Sequence, residues 1–161
     1  MNSDERFTLK LKTFINIGKS LTVLSTCKRV KVSAIVFPTD FSAIYAIGYN
    51  GPPRGLPNDA CTGEAGECGC PHAEANALIK FNANVAKPSL MYSTQHPCHY
   101  CAELILNCTP LVAVIYNKIM YTNRVKLGRK LFHAAEFPTF SENEINRSSP
   151  EDVAKVLRGL G

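Results

Sequence analysis

SLMYSTQHPCHYCAELILNCTPLVAVIY, running from Ser89 to Tyr116, reads as strand, helix, strand. Ser89 to Thr94 is β-prone, and Cys98 to Asn107 has helical character. Pro110 to Tyr116 is nearly all apolar, which suits a central strand covered on both faces. A strand–helix–strand unit of this kind predicts two parallel strands joined by a right-handed crossover. Pro97 fits just before or at the first helical turn, because its missing N–H would have no partner there anyway. The Cys98-His99-Tyr100-Cys101 spacing puts both sulfurs on one side of that turn. The positive end of the helix dipole favours their thiolate forms.

Upstream, Pro71-His72-Ala73-Glu74 opens a second predicted helix, His72 to Phe81, with apolar positions at Ala73, Ala77, Leu78 and Phe81. One His and two thiolates make three ligands for a tetrahedral zinc and leave the fourth position for water. Zinc lowers the pKa of such a water to about 7. Glu74 is then left over to move protons. A lone C-x-x-C is weak evidence of metal. Here H-x-E and P-C-x-x-C occur in order, each opening a helix, so a catalytic zinc on His72, Cys98 and Cys101 outweighs a core His beside unrelated thiols.

Outward from these motifs, Asp4 to Thr26 carries apolar residues mostly three or four apart and predicts a helix capped by Ser3 or Asp4. Lys10, Lys12 and Lys19 lie off its apolar stripe and read as a solvated face. Val30 to Phe37 and Phe41 to Tyr49 read as two strands joined by a Pro38-Thr39-Asp40 turn, a hairpin. Gly48-Tyr49-Asn50-Gly51-Pro52-Pro53-Arg54-Gly55 reads as a shaped turn. It begins a long loop to Pro71, of a length that is usually functional or pinned. Beyond the central unit, Lys126 to Ala135 reads as a helix and Glu136 to Phe140 as a short edge strand. Ser149-Pro150-Glu151-Asp152 starts a last helix. The order α-β-β-α-β-α-β-α-β-α predicts an α/β protein, residues 1–161 as one domain. Its form is a three-layer α/β/α sandwich around a mixed five-stranded sheet.

Composition agrees. Of 161 residues, 45% are hydrophobic and 19% charged, as in a soluble globular domain rather than a disordered one. The longest apolar runs are too short to span a bilayer. Met1 to Arg6 is polar and does not read as a signal peptide. Seven Cys, an odd number without an export signal, favour a reducing, cytoplasmic setting and metal ligation over disulfides. The net charge of +5 favours an anionic partner.

The Gly48–Gly55 stretch, His72-Ala73-Glu74-Ala75-Asn76-Ala77-Leu78, and Met91-Tyr92-Ser93-Thr94 leading into Pro97-Cys98-His99-Tyr100-Cys101 resemble the cytidine/deoxycytidylate deaminase superfamily. Within it they resemble the deoxycytidylate (dCMP) deaminases. The zinc motif alone is shared with nucleobase deaminases acting on other substrates. The resemblance implies a cytidine-deaminase-like fold and zinc-dependent conversion of dCMP to dUMP and ammonia. Glu74 would carry the proton to the ring nitrogen and then to the leaving ammonia. It further implies that Asn50 and Asn76 help hold the sugar and base, with Ala73, Ser93, Thr94, His96 and Pro97 around the pocket. A homo-oligomer, trimer or hexamer, and dCTP and dTTP effectors also follow from it.

Two expectations remain. Cys27, Cys61, Cys68 and Cys70 make a full tetrahedral set for a second, structural zinc that would pin the long loop. By resemblance, Cys27 matches a position that binds such a zinc in some phage members. Cys108 is left as a small apolar residue. Lys28, Arg29, Lys31 and Arg54 flank the expected entrance, and Arg54 is the candidate phosphate contact. The rival readings are deamination of another cytosine or guanine nucleoside or base, and of a base within RNA or DNA. A nucleic-acid substrate would call for aromatics free to stack, whereas Phe14, Phe37 and Phe81 sit in core-like patterns.

Overall fold

The computed structural model describes residues 1–84 and 87–160. Helix α1 is Ser3–Ser20. Its cap is Asn2, one residue before the expected pair. The Asn2 carboxamide accepts from the N–H groups of Asp4 and Glu5, and the Glu5 carboxylate reaches back to Asn2 N–H. This reciprocal box satisfies donors that Ser3 would leave open. The helix stops six residues short of Thr26, and Leu21–Leu24 tightens into a 3₁₀ turn.

Strands β1, Ser33–Pro38, and β2, Ala46–Tyr49, form the expected antiparallel hairpin, with Ala34 opposite Gly48. The second strand starts later than the sequence suggests. Phe41 sits at φ 57° and its ring packs 4.9 Å from Phe7, 5.5 Å from Phe14 and 5.8 Å from Phe37. That aromatic cluster draws Phe41 off the strand, against the usual cost of a left-handed residue. Gly48 and Tyr49 belong to β2, so the Gly-Tyr-Asn-Gly stretch is a strand end rather than a turn.

Helix α2, Ala73–Lys80, follows the long loop and takes His72 as its N-cap. It lies directly on Gly48: a Cβ there would stand 2.0 Å from the Ala73 carbonyl oxygen and 2.5 Å from the Ala77 nitrogen. Then come β3 (Ser89–Gln95), α3 (His99–Leu106), β4 (Leu111–Lys118) and α4 (Asn123–Ala134). β5 is Thr139–Ser141, α5 Glu142–Arg147 and α6 Pro150–Arg158. The short α5 is absent from the sequence reading, although Ser141 and Glu144 form a capping box that marks its start.

The sheet order is β2-β1-β3-β4-β5. β1 runs antiparallel to both neighbours, while β3, β4 and β5 are parallel. Alternate strand residues feed two cores. Ala34, Val36, Met91 and Val114 face Ala73 and Ala77 of α2, Ala102 and Ile105 of α3, and Phe132 of α4. Ile35, Phe37, Leu90, Tyr92 and Ile115 face Leu11 and Ile15 of α1, Ile145 of α5, and Val153 and Leu157 of α6. This is the three-layer α/β/α sandwich on a mixed five-stranded sheet. No helix among the described residues is long and apolar enough to cross a membrane.

Candidate active site

Because β1 is antiparallel to its two neighbours, β2, β3 and β4 all end at one edge of the sheet, where β1 begins. Clefts form outside the carboxyl ends of strands in such sheets. A cavity of about 600 Å³ lies at this edge. Its wall takes Val32 before β1, Asn50 after β2, Gln95 and His96 after β3, and Thr122 after β4. Ala73 and Glu74 of α2 and Cys98, the residue before α3, close it from the helix side.

His72 caps α2 and Cys98 caps α3, so each helix start delivers one ligand and Cys101 follows one turn later. The His72 Nδ1 stands 3.4 Å from the Cys98 sulfur and 3.4 Å from the Cys101 sulfur. Ideal zinc distances of ~2.1 Å to nitrogen and ~2.3 Å to sulfur give a tetrahedral N···S edge of roughly 3.6 Å. The three groups therefore fit zinc. Their protonation is already polarised. The Cys98 thiol is pulled down to about 3, first by the Cys101 thiol donating to it and then by His72. The Cys98 thiolate in turn holds His72 above the usual imidazole range. Cys101 is pushed up, by its hydrogen bond to Cys98 and by burial. Metal binding to such a set releases the protons it shares.

Glu74 is the second residue of α2 and is 4% exposed. Its Oε1 accepts from the Ser93 hydroxyl at 3.2 Å. Its Oε2 lies 3.6 Å from the Cys101 sulfur. Burial raises its carboxyl above the ordinary carboxylate range. A carboxyl tuned this way, beside the ligand set, is suited to take and return a proton near neutral pH.

A second cluster lies alongside. The sulfurs of Cys27, Cys61, Cys68 and Cys70 all lie within 4.8 Å of one another. Cys27 and Cys61 are 3.9 Å apart, near the roughly 3.8 Å edge of a zinc tetrathiolate and far beyond a disulfide bond. The Lys28 N–H donates to the Cys61 sulfur and draws that thiol down to about 7. Gly69, at φ 71°, turns the chain between Cys68 and Cys70. Cys27, Cys68 and Cys70 also line the cavity.

The remaining expected residues divide. Asn50 and Ala73 line the cavity, as does His96, which is buried between the rings of Tyr116 and Phe132. The Asn50 amide is held on both sides by the protein, with one Nδ2–H bond among its contacts. Its Oδ1 accepts from Val32 N–H and the Ser25 hydroxyl, and its Nδ2 donates to Val30 O. Asn76, Ser93, Thr94, Pro97 and Arg54 are not among the lining residues. Asn76 donates to Tyr49 O, Thr94 accepts from Ser33 N–H, and Arg54 is exposed. The lining holds Arg29 from the expected basic group and adds Arg124, which the sequence reading did not single out. Its signal was its place: the first turn of a Thr122-capped helix just past the end of β4.

Residues 9–118 match the family described as cytidine and deoxycytidylate deaminase zinc-binding region. A deoxycytidylate deaminase of Mycobacterium phage D29 is 30% identical over 121 residues, covering 65% of this chain and 91% of the phage protein. A probable deoxycytidylate deaminase of Caenorhabditis elegans is 26% identical over 103 residues, 60% of this chain and 52% of the worm protein. The chain thus spans about half the length of that animal relative. Among solved structures, the dCMP deaminase of cyanophage S-TIM5, in complex with dCMP and dUMP, superposes with a TM-score of 0.64. The two are 25% identical, over 88% of this chain and 98% of the phage chain.

Proposed function

The chain belongs to the cytidine and deoxycytidylate deaminase family, and from that premise we propose that it hydrolyses dCMP to dUMP and ammonia. The observation that carries this reading is the placing of Glu74. Its carboxyl is buried, one oxygen is fixed by Ser93, and the other lies beside a three-ligand set in a cavity. His72, Cys98 and Cys101 would hold the zinc. When bound, zinc supplies Lewis-acid activation of water near neutral pH. Glu74 accepts the proton that the attacking water loses. It passes that proton to the ring nitrogen, then takes the second proton from the hydroxyl now on the ring carbon and passes it to the departing amino group as the C–N bond breaks and the carbonyl forms. Ser93 keeps the carboxyl aimed during both transfers.

Ammonia release should be measured with dCMP, CMP, deoxycytidine, guanine and a tRNA hairpin, beside Glu74→Gln. The expected outcome is preference for dCMP, and a loss of about 10²- to 10⁴-fold in Glu74→Gln. Activity on dCMP that survives this substitution would reject the proton role. Silence on every monophosphate would reject the reading.

The four-Cys cluster supports a second, structural zinc, which would pin the long loop that forms one cavity wall. Metal analysis should then return two zincs per chain, and Cys61→Ala should retain one. One zinc in both proteins ends this part of the proposal. Self-association fits the exposed apolar side chains Ile79, Tyr100, Leu104 and Leu127, carried by the three helices of one layer, and sedimentation would read it directly.

A further inference from the structure

One ring nitrogen in the cavity wall has no partner among the described residues. We infer that His96 Nε2 accepts a hydrogen bond from the exocyclic amino group of the cytosine ring, and so ranks the amino-bearing substrate above its oxo product. This rests on the dCMP reading above.

His96 follows β3 and lines the cavity beside Gln95 and Cys98. It is 3% exposed. Its backbone N–H donates to the Lys118 carbonyl at 2.7 Å. Its ring stands edge-on to two others, with centres 4.7 Å from Tyr116 and 5.8 Å from Phe132. The ring Nδ1 lies 2.9 Å from the Pro97 carbonyl oxygen. A carbonyl oxygen only accepts, so Nδ1 carries the hydrogen, and the neutral ring keeps a bare lone pair on Nε2. Among the described residues, the side-chain polar atoms that are both sealed from solvent and without a partner are Gln95 Oε1 and His99 Nδ1. His96 Nε2 is not one of them, and the ring's hydrogen bond is the one to Pro97. Nε2 therefore opens onto the cavity that the residue lines. The wall presents a fixed acceptor, held by backbone and by two aromatic rings.

A cytosine nucleotide has few donors to offer it. O2 and N3 of the ring accept, and N1 carries the sugar. The base donates only through its 4-amino group, and the sugar adds a 3′-hydroxyl. Position selects the amino group. The reacting C4 must face the ligand set, whereas N1 and its sugar lie across the ring from it. His96 is two residues before Cys98, a span of at most ~7 Å along the chain, so its ring belongs to the C4 end. After deamination C4 carries a carbonyl oxygen, which cannot donate, and the new N3–H faces Glu74, which delivered that proton. Nε2 is then left unpaired against another acceptor. A site built to bond one group discriminates against the analogue that lacks it, and here the analogue is the product.

The test measures, by calorimetry, binding of dCMP and dUMP, and of deoxycytidine and deoxyuridine, to zinc-loaded Glu74→Gln protein, in which turnover is slow. His96 is kept, or changed to Phe, Asn or Gln. His96→Phe keeps a ring between Tyr116 and Phe132 without an acceptor. His96→Asn retains a donor for the Pro97 carbonyl but ends short of Nε2. His96→Gln places a side-chain oxygen at about the reach of Nε2. A neutral hydrogen bond corresponds to about 3- to 10-fold in affinity. The preference for dCMP over dUMP should fall by that factor in His96→Phe and His96→Asn and persist in His96→Gln, and the nucleoside pair should follow. An unchanged preference in the Phe and Asn variants would overturn the inference. Equal weakening of dCMP and dUMP would also overturn it, by moving the contact to the sugar hydroxyl or to structure alone. A preference lost alike in all three variants would assign the effect to the shape of the ring and overturn it too. A wild type that releases no ammonia from dCMP would count against the function instead, and the ratio of deoxycytidine to deoxyuridine binding would still decide His96.

Discussion

Adding one methyl group at Gly48 tests whether helix α2 is seated by that missing side chain. A Cβ would stand 2.0 Å from the Ala73 carbonyl oxygen and 2.5 Å from the Ala77 nitrogen. Both are backbone atoms, so no side chain can swing aside. Real Cβ contacts are essentially never closer than 3.0 Å. The helix must therefore retreat from β2 by at least 3.0 − 2.0 = 1.0 Å at its first turn. Overpacking of this kind costs about 1–3 kcal/mol, and more where backbone has to move. For a chain of this size, 3 kcal/mol corresponds to a fall in Tm of roughly 6–12 °C. The first turn of α2 carries Glu74 and follows His72. A displacement of ~1 Å near reacting groups can cost about 10²-fold in rate. Gly48→Ala should thus lose stability and kcat together. Thermal unfolding at matched zinc, with steady-state rates on dCMP below Tm, checks both. A variant within 0.5 kcal/mol of wild type, on the scale of a neutral surface change of about ±0.5 kcal/mol, and with full kcat would refute the close packing and its link to the site.

Ser93→Ala removes the donor that fixes Glu74 Oε1. It should lower kcat on dCMP about tenfold with little change in KM, because Ser93 does not line the cavity; an unchanged kcat would show that Glu74 needs no such anchor. Tyr92 gives the pH prediction. Burial, then Glu142, raises its pKa above that of an ordinary tyrosine. In the unfolded chain it ionises near pH 10 while the folded chain keeps the proton. The unfolded state then binds fewer protons, so stability is intact below pH 10 and falls above it, by up to ~1.4 kcal/mol per pH unit. Tyr92→Phe should flatten that fall in denaturant midpoints between pH 10 and 11; an identical slope would remove Tyr92 from the account.

The central layers were legible because their signals are local and repeated. Ser89–Tyr116 carries strand, cap, helix and strand within one crossover, and the structure keeps each of them within two residues. The grouping of His72, Cys98 and Cys101 was legible from residue type and spacing, and the structure brings the three side chains together. Residues whose roles depend on a distant partner were harder to read. Asn50 is a substrate contact by resemblance, and it lines the cavity, but its bonds to Val30, Val32 and Ser25 could not be read from its sequence neighbours. Phe41 fits a strand by propensity, but three aromatic rings from α1 and β1 override it. Arg54 and Arg124 are equally basic in sequence, and only the topology at the end of β4 brings one to the cavity. The α5 start at Ser141 was a missed signal rather than a hidden one.

The antiparallel ladder between β1 and β3 carries a consequence for how the molecule is assembled. His72 travels with the β1–β2 hairpin, onto which α2 packs. Cys98 and Cys101 travel with the β3–α3–β4 crossover. The sheet joins these two bodies through five residue pairs, Ala34 with Ser93 to Pro38 with Ser89. The proposed ligand set is therefore split across a seam, and neither body carries all three of its side chains. Metal capture then reports completed docking rather than partial folding. A zinc bound only after docking adds its binding free energy to the seam itself, as a rivet placed once the plates are aligned.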